Sequence, residues 1–323
     1  MRVSVVTRLS LLILCFVARQ AFVVPKPPSV ARFGKQETAR PNRVGIVSNH
    51  ATAEFPADFL IVPESRKQGP LSVSRALLFA VTLFTTASVL IVAMLAALPW
   101  VKKKDPVRRR FMDKVNMLWA WVAAGPFFRV KVKSAENLPP DDVPFVYVAN
   151  HQSFLDIFSM YFLRRPFKWV SKASILKIPV IGWAMSLTGH LSLERNDRKS
   201  QLMVMRQCGE TLQSGASMFF FPEGTRTKTG VMGTFKRGAF SIAQRAGVGI
   251  VPITVLGTGA IMPSGKETSL FPTREGVQLV CHPAISAEEV QESSQSELLA
   301  KVRDMIASAL PPELRGTPQP ASD

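Results

Sequence analysis

Cysteine is scarce in this chain, with three in 323 residues. Three thiols cannot build a disulfide framework. No CxxC pair is present and no two cysteines stand at a zinc-site spacing, so the stapled small-domain classes are excluded. Cys15 falls in an apolar leader. Cys208 and Cys281 fall in a helix-like and a strand-like stretch and read as buried, reduced thiols. Acidic residues are also few, 23 against 40 Lys and Arg, giving a net charge of +17. Such an excess points to nucleic acid or to an anionic membrane. Its distribution separates the two: residues 1–143 hold 12 of the 17 excess charges. That favours targeting and membrane flanks over a broad nucleic-acid-binding face. Internal repeats are absent. With 47% apolar and 20% charged residues, the chain is neither disordered nor low-complexity and can bury a sizeable core.

Long apolar runs are rare, and the two that occur differ in length. Leu9–Ala18 is ten residues after a short basic start, the length of a signal peptide and too short to span a bilayer. Residues 19–70 are rich in Pro, Arg, Lys and Ser with little periodicity. The Ala21-Phe22-Val23-Val24-Pro25 run within them resembles the cleavage region of algal leaders that reach a plastid through the secretory pathway. The expected leader is therefore a signal peptide over 1–20 and a disordered transit segment over 21–70. Residues 76–101 carry no charge, enough for one transmembrane helix at ~1.5 Å per residue. Lys102–Arg110 follows with six basic residues and one acid, a collar suited to anionic headgroups on the cytoplasm-like side. Met117–Phe128 is too short to span and reads as an interfacial or core helix.

From residue 110 to 310, helical and strand patterns alternate. Strands are expected at 129–133, 144–149, 167–171, 191–193, 217–221, 250–256 and 277–281. Helices are expected at 156–163, 198–214, 235–246 and, opened by the Ser294/Glu297 capping box, to Leu310. The fold class is α/β, a sandwich with a central mixed sheet flanked by helices. The tail from Pro311 to 323 is polar and reads as disordered.

Two local patterns carry chemistry. In Asn150-His151-Gln152-Ser153-Phe154-Leu155-Asp156, a His sits where a strand ends and a carboxylate follows five residues later. Asp156 in the first helical turn can then orient His151, leaving its second nitrogen to take a proton from a hydroxyl. A structural, hydrogen-bonded His is the competing reading. Ser153 is a poor nucleophile candidate, since no GxSxG elbow surrounds it. In Phe221-Pro222-Glu223-Gly224-Thr225-Arg226, a buried strand runs into a turn. Gly224 permits an unusual backbone there, while Arg226 and Thr225 offer donors that match a phosphate.

Together these blocks resemble the glycerolipid acyltransferases, the PlsC-like 1-acylglycerol-3-phosphate O-acyltransferase family of plastid and bacterial type. Gly189–Arg195 and Val251-Pro252-Ile253 match its intervening and final blocks in order. The resemblance implies acyl transfer from acyl-CoA or acyl carrier protein to the sn-2 hydroxyl of lysophosphatidic acid, giving phosphatidic acid. It implies His151 and Asp156 as catalytic residues. Arg195, Glu223, Gly224, Thr225 and Arg226 are its substrate-binding residues, with Lys168 and Lys236 or Arg237 as weaker phosphate candidates. No cofactor or metal is implied. The implied partners are the lipid, the acyl donor and a membrane, with no nucleic acid. The implied location is a plastid membrane with the catalytic side in the stroma, or alternatively the endoplasmic reticulum. Glu194 stands where the family often has Asp, and His190 reads as structural. Two alternatives stay open: acylation of glycerol-3-phosphate or another lysophospholipid, and a non-catalytic membrane-tethered lipid-binding protein.

Overall fold

The computed structural model describes residues 57–60, 67–194 and 197–317. Most of the expected leader, and Arg195, lie outside them. Within the expected transit segment, Ala57–Leu60 forms one helical turn with Leu60 buried, so that part is packed against the body.

Seven strands form one sheet: β1 (Val130–Lys133), β2 (Val146–Ala149), β3 (Phe167–Lys172), β4 (Leu191–Leu193), β5 (Ser217–Phe220), β6 (Ile250–Leu256) and β7 (Val277–Cys281). Their order is β1-β7-β6-β2-β5-β3-β4. All neighbours are parallel except β6 and β7, which makes the sheet mixed. Central strands buried on both faces explain the near-continuous apolar runs of β2 and β6. Alternate residues feed opposite cores. Tyr147 and Ala149 face one core with helices Arg110–Ala124 and Asp156–Met160. Val146 and Val148 face the other, with helices Arg198–Gln213, Gly238–Ala246 and Gln295–Ser308. Cys208 and Cys281 are free and buried, and burial pushes both thiols up to about 12.

Most expected elements form, and two departures have physical causes. The helix expected from Phe235 begins at Gly238, because the Lys236 N–H donates to the Pro222 carbonyl instead of starting a helical turn. The first residues of the expected tail are packed. Leu314 is buried, its carbonyl accepts from the Met232 N–H at 2.8 Å, and Arg303 donates to the Arg315 carbonyl.

The expected apolar helix forms as Pro70–Lys104, whose 35 residues reach about 52 Å, long and apolar enough to cross a membrane. It lies along the body, tied at both ends. Near its start, Arg75 donates to the Phe127 carbonyl and the Leu270 N–H to the Ser72 carbonyl. Midway, the Trp119 indole donates to the Leu83 carbonyl. Near its end, Met94 and Val101 pack with Met112 and Val115. Ala76, Phe79 and Leu83 belong to the same core as Ala120 and Phe158. A helix standing alone in lipid would make none of these contacts. The short run Met117–Phe128 is the end of a core helix, with Ala120, Ala123 and Ala124 fully buried.

The arginines of the basic collar also differ from expectation. Arg109 donates to the Ser186 and Leu187 carbonyls, Arg108 to Ser214 and Arg110 to Asp141. Ser186 and Leu187 end one helix, and Ser214 caps another. Carbonyls at helix C-termini carry partial negative charge, so cations settle there, on Ser186 beside the capping Gly189 N–H. Lys102–Lys104 remain exposed to solvent.

Candidate active site

The site forms at the carboxyl ends of the central parallel strands, where open α/β sheets place ligands. Val148 pairs with Phe220 across β2 and β5, so the residues leaving these strands emerge side by side. One exit carries Asn150 and His151; the other carries Phe221 to Arg226. The Asn150 amide donates to the Val255 carbonyl and accepts from the Val255 N–H, at 3.0 and 2.8 Å. It thereby closes the end of β2 on β6.

The His151 Nδ1 is 2.7 Å from Asp156 Oδ2. The same oxygen accepts from the Gln152 and Ser153 N–H groups at 2.7 and 2.9 Å. A five-residue spacing off one helix face works because His151 sits in the loop and Asp156 opens the helix. A carboxylate accepts only, so the imidazole must donate from Nδ1. Its Nε2 is then the acceptor, ready to take a proton. Asp156 is fully buried and the His151 side chain is 15% exposed, which gives one ring edge an outlet. Ser153 is no nucleophile: its hydroxyl is buried and donates to the Met262 carbonyl at 2.6 Å.

The family resemblance leaves Glu223 either to bind substrate or to hold its turn in shape, and its contacts are of the second kind. Its Oε1 accepts from the His151 N–H at 2.7 Å and its Oε2 from the Gly233 N–H at 2.8 Å. The side chain is buried. Burial raises its carboxyl above the ordinary range, against the two backbone donors that favour the anion. Glu223 is thus a strut between the two blocks, seconded by the Thr227 N–H, which donates to the His151 carbonyl at 3.0 Å. Glu223→Gln can accept at only one carbonyl and must point an NH₂ at the other N–H. We expect a stability loss of about 1–3 kcal/mol and a fall in kcat with KM little changed. Melting and steady-state kinetics measure both. A rise in KM alone would return Glu223 to substrate binding.

The turn itself supplies the cations. Gly224 has φ +72°, and a Cβ there would stand 2.9 Å from Lys236 Nζ. The positive φ favours glycine here, and the bare Cα lets the flexible lysine end lie across the turn. Thr225 is exposed beside it. Arg226 is one-third exposed, and its Nη1 donates to Glu267 Oε1 at 2.7 Å. Partial burial raises the Glu267 carboxyl, but the Gly265 N–H and Arg226 outweigh it, leaving it below its usual range. Glu267 carried no motif and could not be found from the sequence. Phe221 and Asn150 lie inside the blocks, yet only the structure gives them contacts.

Lys168 is not a phosphate ligand. It is buried, with Nζ 2.8 Å from both oxygens of Asp113, and so joins the sheet to helix Arg110–Ala124. Burial pushes Lys168 down and Asp113 up to about 7. His190 is structural as expected: it accepts from the Trp169 N–H at 3.3 Å, and burial holds it well below the usual histidine range.

The chain is similar to known proteins over most of its length. The family profile described as Acyltransferase matches residues 129–256. A 1-acyl-sn-glycerol-3-phosphate acyltransferase of Chlamydomonas reinhardtii is 44% identical over 90% of this chain and 86% of its own length. A chloroplastic enzyme of that name from Arabidopsis thaliana is 39% identical over 90% and 76%. The crystal structure of PlsC, the 1-acyl-sn-glycerophosphate acyltransferase of Thermotoga maritima, superposes with a TM-score of 0.57 at 27% identity. It covers 72% of this chain and 93% of that one.

Proposed function

The chain belongs to the 1-acyl-sn-glycerol-3-phosphate acyltransferase family, and from that premise we propose how its residues carry the reaction. The enzyme transfers an acyl chain to the sn-2 hydroxyl of lysophosphatidic acid and makes phosphatidic acid. The observation that supports the mechanism best is the His151–Asp156 pair, with Nε2 left as acceptor. Nε2 takes the proton of the sn-2 hydroxyl as the oxygen attacks the thioester carbonyl. The tetrahedral oxyanion collapses, the C–S bond breaks, and the thiolate takes the proton back from the imidazolium. Asp156 holds the tautomer and balances the charge on the ring. Arg226, with Lys236 across Gly224, meets the phosphate; Arg195 adds a cation by the family resemblance. The donor is a thioester of CoA or of acyl carrier protein.

The purified full-length protein in mixed micelles tests this reading. Lysophosphatidic acid should be acylated in preference to glycerol-3-phosphate and lysophosphatidylcholine, assayed with paired CoA and carrier-protein donors. Preference for glycerol-3-phosphate would replace the reading with its closest alternative. Arg226→Lys keeps the charge but loses the planar fork. It should raise KM for lysophosphatidic acid about tenfold, from the loss of one charge-assisted bond, and leave KM for the donor unchanged. Equal changes in both would make Arg226 a structural residue.

The long helix supports a membrane surface as the working place. Its outer side exposes Leu77, Leu78, Val81, Val92, Leu95 and Trp100. The helix is long and apolar enough to serve as a transmembrane anchor while its inner side packs on the body, and Lys102–Lys104 at its end suit the headgroup level. The chloroplastic relative and the two-part leader support a plastid membrane with the catalytic side in the stroma.

A further inference from the structure

The imidazole of His151 has a second constraint besides Asp156. The ring of Phe221 lies parallel to it, with centroids 3.9 Å apart and planes 9° from each other. Behind Phe221 stands Trp169, at 5.6 Å and 22°. Trp169 is itself held fast: its indole donates to the Tyr161 hydroxyl at 3.0 Å and its backbone N–H to His190 Nδ1 at 3.3 Å. Phe219 packs on the same indole at 4.5 Å. The catalytic ring is therefore the last member of an aromatic stack rooted in β3 and β5.

A single hydrogen bond at Nδ1 fixes a point and leaves the ring free to swing about it. An aromatic face at van der Waals distance fixes the plane. We propose that Phe221 is a positioning residue that locks the imidazole plane, so that Nε2 aims at the acceptor hydroxyl. Its π face also meets the imidazolium that forms during transfer, where a cation over an aromatic ring is stabilised. The inference rests on the proposed role of His151 as base and extends it from the edge of the ring to its face. It also accounts for an aromatic residue ahead of the Pro-Glu-Gly turn, a position that phosphate binding does not explain.

The test uses the full-length enzyme in mixed micelles. Phe221→Leu keeps an apolar side chain of similar reach and removes the flat π face. Its kcat should fall about tenfold, the size of a partly desolvated cation–π contact plus lost orientation. KM for lysophosphatidic acid and for the donor should stay within about twofold, because Phe221 acts through His151 and not on substrate. Phe221→Tyr restores the ring and should recover most of the rate. Asp156→Asn combined with Phe221→Leu should lose less than the product of the two single effects, since both act on one ring. Melting temperatures identify any variant that fails through folding, and Phe221→Trp then replaces it as the aromatic arm. Equal losses in the Leu and Tyr variants, a change confined to KM, or full additivity with Asp156→Asn would each overturn the inference. Failure of the underlying mechanism reads differently: His151→Ala would then retain turnover, whatever the Phe221 variants do.

Discussion

His151→Ala is expected to lower the turnover of lysophosphatidic acid by at least ~10²–10⁴-fold, the usual share of a general base. The side chain is only 15% exposed and its loss takes one donor from buried Asp156, so a stability loss of about 1–3 kcal/mol should accompany it. Asp156→Asn tests the orientation separately. The carboxylate accepts three N–H groups on one oxygen. An asparagine that keeps its carbonyl oxygen on these donors carries no charge to balance the imidazolium, and it buries its NH₂ where Oδ1 has no hydrogen-bond partner. The weakened base should lower turnover by about 10²-fold or more. Steady-state assays over saturating lipid, with circular dichroism on the same preparations, read both. Turnover within tenfold of wild type in a folded His151→Ala protein would remove general-base catalysis.

Deleting residues 1–101 should cost the body its stability as well as its attachment. The deleted helix contributes Phe79, Leu83, Leu90, Ile91 and Met94 as buried side chains. At roughly 1.5–3 kcal/mol each, their loss removes about 10 kcal/mol, comparable with the whole stability of an ordinary domain. The loss also reaches the site. Phe79 meets Phe158 edge to face at 5.7 Å, and Phe158 lies on the short helix that begins with Asp156. The truncated protein should aggregate or melt far below the full chain, and surviving soluble protein should be nearly inactive. The milder Phe79→Ala should cost about 3–5 kcal/mol. A truncated body with unchanged melting temperature and activity would show that the helix is a separable anchor.

Strand order of burial, helix ends and the two catalytic blocks were legible because each depends on local signals: apolar runs, caps and short spacings. Residues whose role depends on a distant partner were not. Glu223 and Lys168 both look like ligands in the sequence, since a charge beside a strand end carries no mark of burial. Glu223 is a strut because Gly233 and His151 both point an N–H at it; Lys168 is a core residue because Asp113 arrives from another helix. The contacts of the long helix were not legible for a similar reason. A helix apolar on all sides satisfies lipid and protein equally well, and only the contacts of Ala76, Phe79 and Met94 distinguish them. Likewise, the collar arginines read as headgroup ligands until the carbonyls of Ser186, Leu187 and Ser214 are seen to need them.

The packed turn at Pro312–Leu314 has a consequence for the order in which the enzyme becomes active. Its Leu314 carbonyl holds the Met232 N–H; the next residue, Gly233, holds Glu223; Glu223 holds the backbone of His151. Synthesis runs from the N-terminus, so Leu314 arrives after His151, Glu223 and Gly233. Until it docks, the loop that buttresses the base lacks its final contact. A nascent chain in which Leu314 has not yet docked would remain a weak catalyst. Full acyl transfer would begin only once that turn had packed against Met232.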